Sequence, residues 1–308
     1  MRRLLCFLLP LALVLSCRQE KHEGEPVHSA YYWQTVFELD SCQHNFIDRH
    51  HVERLYIRLF DVTMQDGHPY PNATIRFNDS VPQHLETIPT VFILNECFDD
   101  SLQAENLDDL IYRRVRQMCA THDLPHVDEL QIDCDWTAST QTTFFRFLRK
   151  LQERAHTDGW QLSSTIRLHQ LRGDAPPADR GVLMNYHTGD IKDIHAISPI
   201  LRLKDAEPYL KTLDDYPLPL ACAYPNFALR TLYRHDRLVG IIHYDAEYPV
   251  VEGDSLVTWD TSVEEICKTR DFISALCPSA NDEIILYDIS QQNIHHFNNE
   301  QYEKIYHR

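Results

Sequence analysis

Short apolar runs recur along this chain and alternate with stretches whose apolar residues have helical spacing. Eight runs have the length and composition of β-strands, and they cover residues 32–39, 54–62, 88–95, 130–136, 162–169, 181–186, 218–224 and 283–289. Segments 107–122, 139–155 and 262–276 instead place apolar residues on one side of a helix. Strands that mostly alternate with helices predict an α/β fold, a single (β/α)8 TIM-type barrel.

The stretch between the last two predicted strands is longer than a simple connection. Residues 229–233 and 238–244 flank the polar turn His235-Asp236-Arg237, a pattern that indicates a β-hairpin. We therefore expect an insertion over residues 226–260 beside the barrel. No glycine-rich phosphate loop follows the first predicted strand, so a doubly wound nucleotide-binding sheet is not predicted.

The first residues have the pattern of an export signal. Met1-Arg2-Arg3 is basic, and residues 4–15 form an apolar run that is short for a membrane span. The following Val14-Leu15-Ser16-Cys17 resembles the lipobox of bacterial lipoproteins. This resemblance implies a signal peptide over 1–16, lipidation of Cys17, and a membrane anchor in the cell envelope, at the periplasmic or the outer cell surface. An ordinary cleaved signal is the alternative.

The segment after Cys17 is polar, so we expect a flexible tether over 17–30 and the barrel over 31–308. The formal net charge of the whole chain is −17. Such an acidic chain lacks the basic surface that nucleic acids require, so we predict no nucleic-acid partner. We expect a monomer whose only membrane contact is the anchor.

The cysteine pattern predicts neither a metal site nor a dense disulfide framework. The chain has nine cysteines without C-x-x-C spacing, of which Cys6 and Cys17 belong to the leader and the lipid site. Cys42 and Cys97 would follow strands on one rim of the barrel, so a single bridge between them is a further possibility. No motif predicts a metal or another cofactor.

The predicted strands end in polar and aromatic residues, and barrel enzymes place their active sites at this end. The expected rim contains Glu38, Asp61, Asn95, Glu96, Asp133, Asp135, Arg167, His169, Asn185, Tyr186, Tyr224, Tyr287 and Asp288. Rim aromatics that could stack on sugar rings are Trp33, Trp136, Tyr186, Tyr224 and Tyr244.

The fourth predicted strand carries two carboxylates on one face. Asp133 and Asp135 are two residues apart, and side chains of a strand alternate between its faces. Carboxylates inside a barrel are costly unless they are paired or belong to a solvated site. We expect Arg58 and Arg167 to face them. Salt bridges in the barrel interior are one interpretation, and a functional site at the rim is the other.

This strand also carries a family resemblance. Ile132-Asp133-Cys134-Asp135-Trp136 resembles the fourth-strand signature D-x-x-D-x-D-x-E of the chitinase-type glycoside hydrolases of family 18. Leu183-Met184-Asn185-Tyr186 resembles their sixth-strand Met-x-Tyr, and Ile285-Leu286-Tyr287-Asp288 is similar to their last strand. The chain is also similar to bacterial lipoproteins that carry a barrel domain related to these hydrolases. The resemblance implies that Asp135 and Tyr186 contact an acetamido group of the sugar.

The chain departs from the signature at two positions. Leu130 occupies the place of the first aspartate, and Thr137 occupies the place of the catalytic glutamate. A threonine hydroxyl cannot act as the general acid that protonates the glycosidic oxygen. Another rim carboxylate would have to do so: Glu96 is the first candidate, followed by Glu38, Asp288 and Glu247.

Two functions therefore remain open. The first is hydrolysis of a glycan, with Asp135, Glu96 and Asp133 as catalytic residues. The second is a glycan-binding or scaffold lipoprotein without catalysis. In both, the ligand is a carbohydrate, and the predicted binding residues are Trp136, Arg167, His169, Asn185, Tyr186, Tyr224 and Asp288.

Overall fold

The structure is a computed structural model that describes residues 24–100, 104–243 and 247–307. Within these residues, eight parallel strands form a closed ring. They are β1 (Val27–Tyr32), β2 (Arg54–Gln65), β3 (Glu86–Ile93), β4 (Glu129–Asp133), β5 (Gln161–Arg167), β6 (Arg180–Met184), β7 (Leu220–Pro225) and β8 (Glu283–Tyr287). Each strand pairs with its neighbours in sequence, and β1 pairs with both β8 and β2. The predicted α/β barrel is confirmed.

Helices cover the outside of the ring. They are α1 (Ser41–Arg49), α2 (Leu107–Thr121), α3 (Gln141–Thr157), α4 (Leu203–Leu210), α5 (Val263–Leu276), α6 (Gln291–Ile294) and α7 (Asn299–Tyr306). After β2 the chain forms a strand, His68–Asn72, that pairs antiparallel with β2, where a helix would otherwise follow. A 3-10 turn at Leu168–Arg172 follows β5. In α3, Phe144, Leu148 and Leu151 are fully buried, as their helical spacing predicts.

The first strand begins earlier than the apolar pattern predicts. β1 spans Val27–Tyr32, not residues 32–39, so the predicted tether was wrong for its last four residues. The pattern failed because His28 and Ser29 are polar but buried. Ser29 donates to Glu283 at 2.7 Å, which satisfies its hydroxyl inside the barrel. Glu38 therefore lies beyond β1, where its exposed side chain accepts a hydrogen bond from Asn78.

The insertion before β8 has three strands. Leu229–Arg234 is central and pairs antiparallel with Arg237–Ile241 and with Asp254–Trp259. The predicted hairpin is present, and its third strand was not predicted. Tyr244 and the leader with Cys17 lie outside the described residues. In the described ranges, all seven cysteines are free, including Cys42 and Cys97, and no helix is long and apolar enough to cross a membrane.

Charged side chains fill the N-terminal end of the barrel interior. Arg180 donates to Glu129 at 2.8 Å and to Glu283 at 2.6 Å, and Arg54 contacts Glu283 at 3.2 Å. Tyr56 donates to Glu283 at 2.8 Å. Burial opposes ionisation of Glu283, but the two guanidinium groups hold its pKa below the usual value. This ionic layer, Arg54, Tyr56, Glu129, Arg180 and Glu283, closes the barrel opposite the rim.

Two buried histidines lie where β1, α1 and α7 meet. The Nδ1 of His28 donates to the carbonyl oxygen of His50 at 2.6 Å, and its Nε2 has no hydrogen-bond partner in the described part of the chain. The ring of His28 stacks on Tyr306 at 4.3 Å, and His50 contacts Glu303 at 2.9 Å. Burial lowers the pKa of both histidines. The folded state therefore favours their neutral forms.

We expect the free energy of unfolding to decrease as the pH falls below about 6.5, the usual pKa of an unfolded histidine. At such pH a histidine of the unfolded chain binds a proton, whereas the lowered pKa keeps His28 neutral in the folded state. Burial and the charge of His307 lower the pKa of His28, and Glu53 and Glu303 partly offset this decrease. Urea midpoints between about pH 7.5 and pH 5.5 measure the loss. His28→Gln should reduce it, whereas the exposed control His84→Gln should not. An unchanged acid loss in His28→Gln would contradict this assignment.

Candidate functional site

A cleft of about 400 Å³ opens at the C-terminal end of the barrel, where the strand pattern predicts the rim. Five aromatic side chains line it: Trp33, Phe92, Tyr186, Phe227 and Tyr287. The ring centroids of Tyr186 and Tyr287 lie 5.4 Å apart, and those of Trp33 and Tyr287 lie 5.5 Å apart. The cleft therefore has an aromatic wall with flat ring faces.

Two aspartates and two arginines line the same cleft, namely Asp61, Asp133, Arg58 and Arg167. Asp61 lies opposite Phe92 on the neighbouring strand, and Phe92 lies opposite Asp133 on the next. Residues in register on parallel strands point to the same side of the sheet. Because adjacent strands are about 4.8 Å apart, the backbones of the two aspartates are separated by roughly 9.6 Å.

An irregularity in β2 turns both Arg58 and Asp61 toward the inside of the barrel. Residues three apart in a regular strand face opposite sides, which would turn either Arg58 or Asp61 outward. The register shifts between Arg58 and Phe60, so that Leu59 is an extra residue. Such a bulge reverses the alternation beyond it. Arg58 and Asp61 consequently both face the cleft, with Arg58 Nη1 and Asp61 Oδ2 at 3.6 Å.

Asp133 lies deep in the cleft and is buried. It accepts hydrogen bonds from Thr165 at 2.7 Å and from Arg167 Nη2 at 3.1 Å. Burial raises its pKa, while the charge of Arg167 and the Thr165 hydroxyl oppose that rise. Burial also raises the pKa of Asp61, with a further contribution from the charge of Asp133 and opposition from Arg58. The cleft thus holds two acids that bind a proton more readily than ordinary aspartates.

Asp135 lies outside this cleft in a neighbouring chamber of about 270 Å³, which His169 and Tyr209 also line. Its side chain is 58% exposed and forms an ion pair with Nε of Arg167. Arg167 and Tyr186 line both spaces and connect them. Arg167 faces both aspartates, as the strand pattern predicts. Arg58 also points into the barrel, as predicted, and lines the same cleft as Asp133, but its ion-pair partner is Asp61.

Thr137, which occupies the position of the family's catalytic glutamate, belongs to a hydrogen-bond network of hydroxyl and amide groups. Thr137 Oγ1 lies 2.8 Å from Ser139 Oγ and 3.5 Å from Asn95 Nδ2. Thr140 Oγ1 donates to Asn95 Oδ1 at 2.6 Å. These contacts join the loop after β4 to the loop after β3. They offer no carboxyl group at this position.

The replacement acids predicted from the sequence do not line the cleft. Glu96 is exposed on the 3-10 turn Asn95–Phe98, and Glu38 lies in the segment after β1. Asp288 accepts hydrogen bonds from the backbone of Ser290 at 2.9 Å and from Asn293 at 2.8 Å, which stabilise the turn before α6. Glu247 binds the backbone of His243 at 2.6 Å, in the insertion beside the cleft.

Several predicted binding residues face the helices instead of the cleft. Trp136 is buried against Phe144 and Phe145, and Tyr224 donates to Asn281 at 2.7 Å. Asn185 is buried, with its amide near the carbonyl oxygen of Leu183 at 3.3 Å. Trp136, Asn185 and Asp288 lie beyond the ends of β4, β6 and β8, and their side chains are buried away from the cleft. Tyr224 lies within β7 and is fully buried against the turn before β8. The predictions for these four as cleft residues were wrong.

Several residues that line the cleft, among them Asp61, Phe92, Phe227 and Tyr287, were not predicted as site residues. Asp61 and Tyr287 were placed on the rim only, although their strand-end positions were a usable signal. Phe227 lies in the loop after β7, where no periodicity indicates its direction. Within the described ranges, no group of three or more histidine, cysteine, aspartate or glutamate side chains could hold a metal ion.

Comparisons with known proteins identify the fold. No protein-family model matches the chain, and no curated protein sequence matches it. Among solved structures, a chitinase from Bacteroides thetaiotaomicron superposes with a TM-score of 0.60 at 13% identity, over 92% of this chain and 94% of that one. The Ostrinia furnacalis Group IV chitinase gives a TM-score of 0.58 at 12% identity, over 91% and 98%.

The spore cortex-lytic enzyme SleL of Bacillus megaterium QM B1551 is also similar, with a TM-score of 0.58 at 11% identity, over 92% of this chain and 75% of that one. At such low identity these similarities define the fold and not the activity. This chain therefore has a TIM-barrel fold similar to the folds of these chitinases and of SleL.

Proposed function

We propose that this protein binds a glycan in the cleft at the C-terminal end of its barrel. The aromatic wall carries this proposal, because five aromatic side chains and four charged ones line one space of about 400 Å³. Sugar rings have apolar C–H faces that pack on aromatic rings, and their hydroxyl groups form hydrogen bonds with carboxylates and guanidinium groups. The chitinase-like fold of the structural relatives supports the same class of ligand.

Hydrolysis is a second candidate, and the pair Asp61 and Asp133 favours it. The family's acid is absent at Thr137, but burial raises the pKa of both cleft aspartates. A general acid requires such a shift. The backbones of the two aspartates are two strands apart, roughly 9.6 Å, and their side chains both point into the ring, so their carboxyl groups are closer together than their backbones. Inverting hydrolases have carboxyl groups about 6.5–9.5 Å apart. In this proposal Asp61 protonates the leaving oxygen and Asp133 accepts a proton from water.

Trp33→Ala tests glycan binding. We expect affinity for a glycan selected from a library to decrease about tenfold or more, because the variant removes a central aromatic contact of the cleft. Titration calorimetry measures the change. Tyr70→Ala is the matched control, since Tyr70 is 52% exposed on the strand that extends β2 and does not line the cleft. Equal affinities of wild type and Trp33→Ala would contradict binding in this cleft.

We further propose that the protein acts outside the cytoplasm as a lipoprotein, on the basis of the resemblance of residues 14–17 to a lipobox. Cys17→Ser should lose incorporation of a labelled fatty acid and should move from the membrane fraction to the soluble fraction. Incorporation that persists in Cys17→Ser would reject this site of lipidation. Cys17 precedes the first barrel strand in the sequence, so an unchanged urea unfolding midpoint would separate loss of anchoring from loss of folding.

A further inference from the structure

Arg58 is a cleft-lining cation whose hydrogen-bonding capacity is unused in the described residues. Its guanidinium lies over the ring of Trp33 at 5.2 Å, and Nη1 is 3.6 Å from Asp61. That distance is too long for a hydrogen bond. Its Nε has no partner among the described residues. A guanidinium group has five N–H donors in a planar arrangement, and leaving them unpaired in a half-enclosed site is unfavourable.

Arg167, the other arginine of the cleft, has a different environment. It is held by Asp133 on one side and by Asp135 on the other. Its Nη1 also lacks a hydrogen-bond partner among the described residues, but two carboxylates pair with it, so its charge is largely compensated without a ligand. Arg58 has Asp61 as its only ion-pair partner in the described chain, and Oδ1 of Asp61 is itself unpaired. The cleft therefore presents a donor and an acceptor side by side.

We propose that the bound glycan is acidic and that its sugar carboxylate is received by the guanidinium of Arg58. The planar donor edge of arginine matches the two oxygens of a carboxylate, which accept two parallel N–H bonds. A neighbouring hydroxyl of the same sugar would donate to Asp61. This inference specifies the ligand class for the proposed glycan-binding cleft, and it rests on that proposal.

The net negative charge of the protein bears on whether an acidic ligand could bind without Arg58. The chain has a formal net charge of −17, so its overall field repels anions. An acidic ligand therefore requires a local cation within the site, and Trp33 holds that cation in place from one face. Burial raises the pKa of Asp61 and Asp133. Proton uptake by either carboxyl group would reduce its repulsion of an incoming carboxylate.

Matched ligands test the proposal with the full-length protein. The acidic probes are a hyaluronan tetrasaccharide and the disaccharide of N-acetylglucosamine and N-acetylmuramic acid, which carry uronate and lactyl carboxylates respectively. Each is compared with its own carboxamide, which keeps the sugars and linkage but removes the charge. Chitotetraose is the neutral reference. We expect at least one acidic probe to bind about tenfold or more tightly than its amide, the effect of a charge-assisted hydrogen bond.

Arg58→Gln should remove this preference, so that each acidic probe and its own amide bind the variant with affinities within about twofold of each other. A cooperative urea unfolding transition shows that the variant is folded. Arg58→Lys should keep part of the preference. Arg116→Gln is the matched control, because Arg116 likewise lies over a tryptophan, Trp160, at 5.0 Å and pairs with Asp158, but on the outer helical layer. Equal binding of acid and amide by wild type, or a preference that survives in Arg58→Gln, would overturn the inference alone. Absence of binding by all probes would overturn the glycan-binding proposal as well.

Discussion

Replacement of Arg180 by methionine is expected to lower the free energy of unfolding by about 3–5 kcal/mol, the cost of removing one partner from a buried ion pair. Arg180 is the shared partner of Glu129 and Glu283, which are 5% exposed each, and it also donates to Tyr56 at 2.6 Å. Without it, two carboxylates are buried close together with only Arg54 to compensate them. No other ion pair of the described residues joins two buried carboxylates through one arginine.

Urea unfolding measures this loss, and the change in midpoint should occur without a change in slope. Arg116→Met, in an exposed ion pair with Asp158 on the helical layer, should cost about 1 kcal/mol or less. The double variant Arg180→Met with Glu283→Gln should recover part of the loss, because it removes one of the uncompensated charges.

The pH dependence gives the Arg180 prediction a second readout. Arg180 and Arg54 hold the pKa of Glu283 down, so their stabilisation is complete above the unfolded pKa of glutamate and disappears as the pH falls through the folded value. The difference between wild type and Arg180→Met should therefore decrease in acid. A difference that is constant with pH would indicate lost packing instead of lost charge compensation.

Replacement of Asp61 by asparagine is expected to reduce hydrolysis by about 10²–10⁴-fold if the cleft is catalytic, the contribution of a general acid. Asparagine has nearly the same shape and cannot transfer the proton, so glycan affinity should be retained. Product release from a glycan that wild type binds measures turnover, and calorimetry measures affinity in the same samples. The low catalytic rate should be accompanied by loss of the basic limb of the pH–rate profile.

The comparison with Glu96→Gln distinguishes the acid found in the structure from the one predicted by sequence. Glu96 is exposed outside the cleft, so its replacement should leave turnover unchanged. A loss in Glu96→Gln with normal turnover in Asp61→Asn would reverse the assignment. Binding without turnover in wild type would exclude hydrolysis of the glycans tested and retain the binding function.

Strand and helix periodicity in this sequence determine the barrel. The second to eighth strands lie within a few residues of their predicted positions, because apolar residues of a strand must cover the outer face of the ring while helices bury them. Arg167 faces both Asp133 and Asp135, as the sequence predicts, although β4 ends at Asp133 and Asp135 lies beyond it in the neighbouring chamber. The local sequence pattern was sufficient to locate a strand wherever the strand was regular and its buried face was apolar.

Tertiary structure alone decided which acids share the cleft. The extra residue in β2 turns Asp61 inward, and no property of its neighbours in sequence marks a bulge. Trp136, Asn185 and Tyr224 were assigned to the rim because they lie at or near strand ends, but the side chains of all three are buried away from the cleft. The ionic layer at the opposite end required contacts between residues far apart in sequence, such as Tyr56 with Glu283. The direction of a side chain and its long-range partners depend on how the closed ring brings the strands together, so local sequence pattern does not predict them.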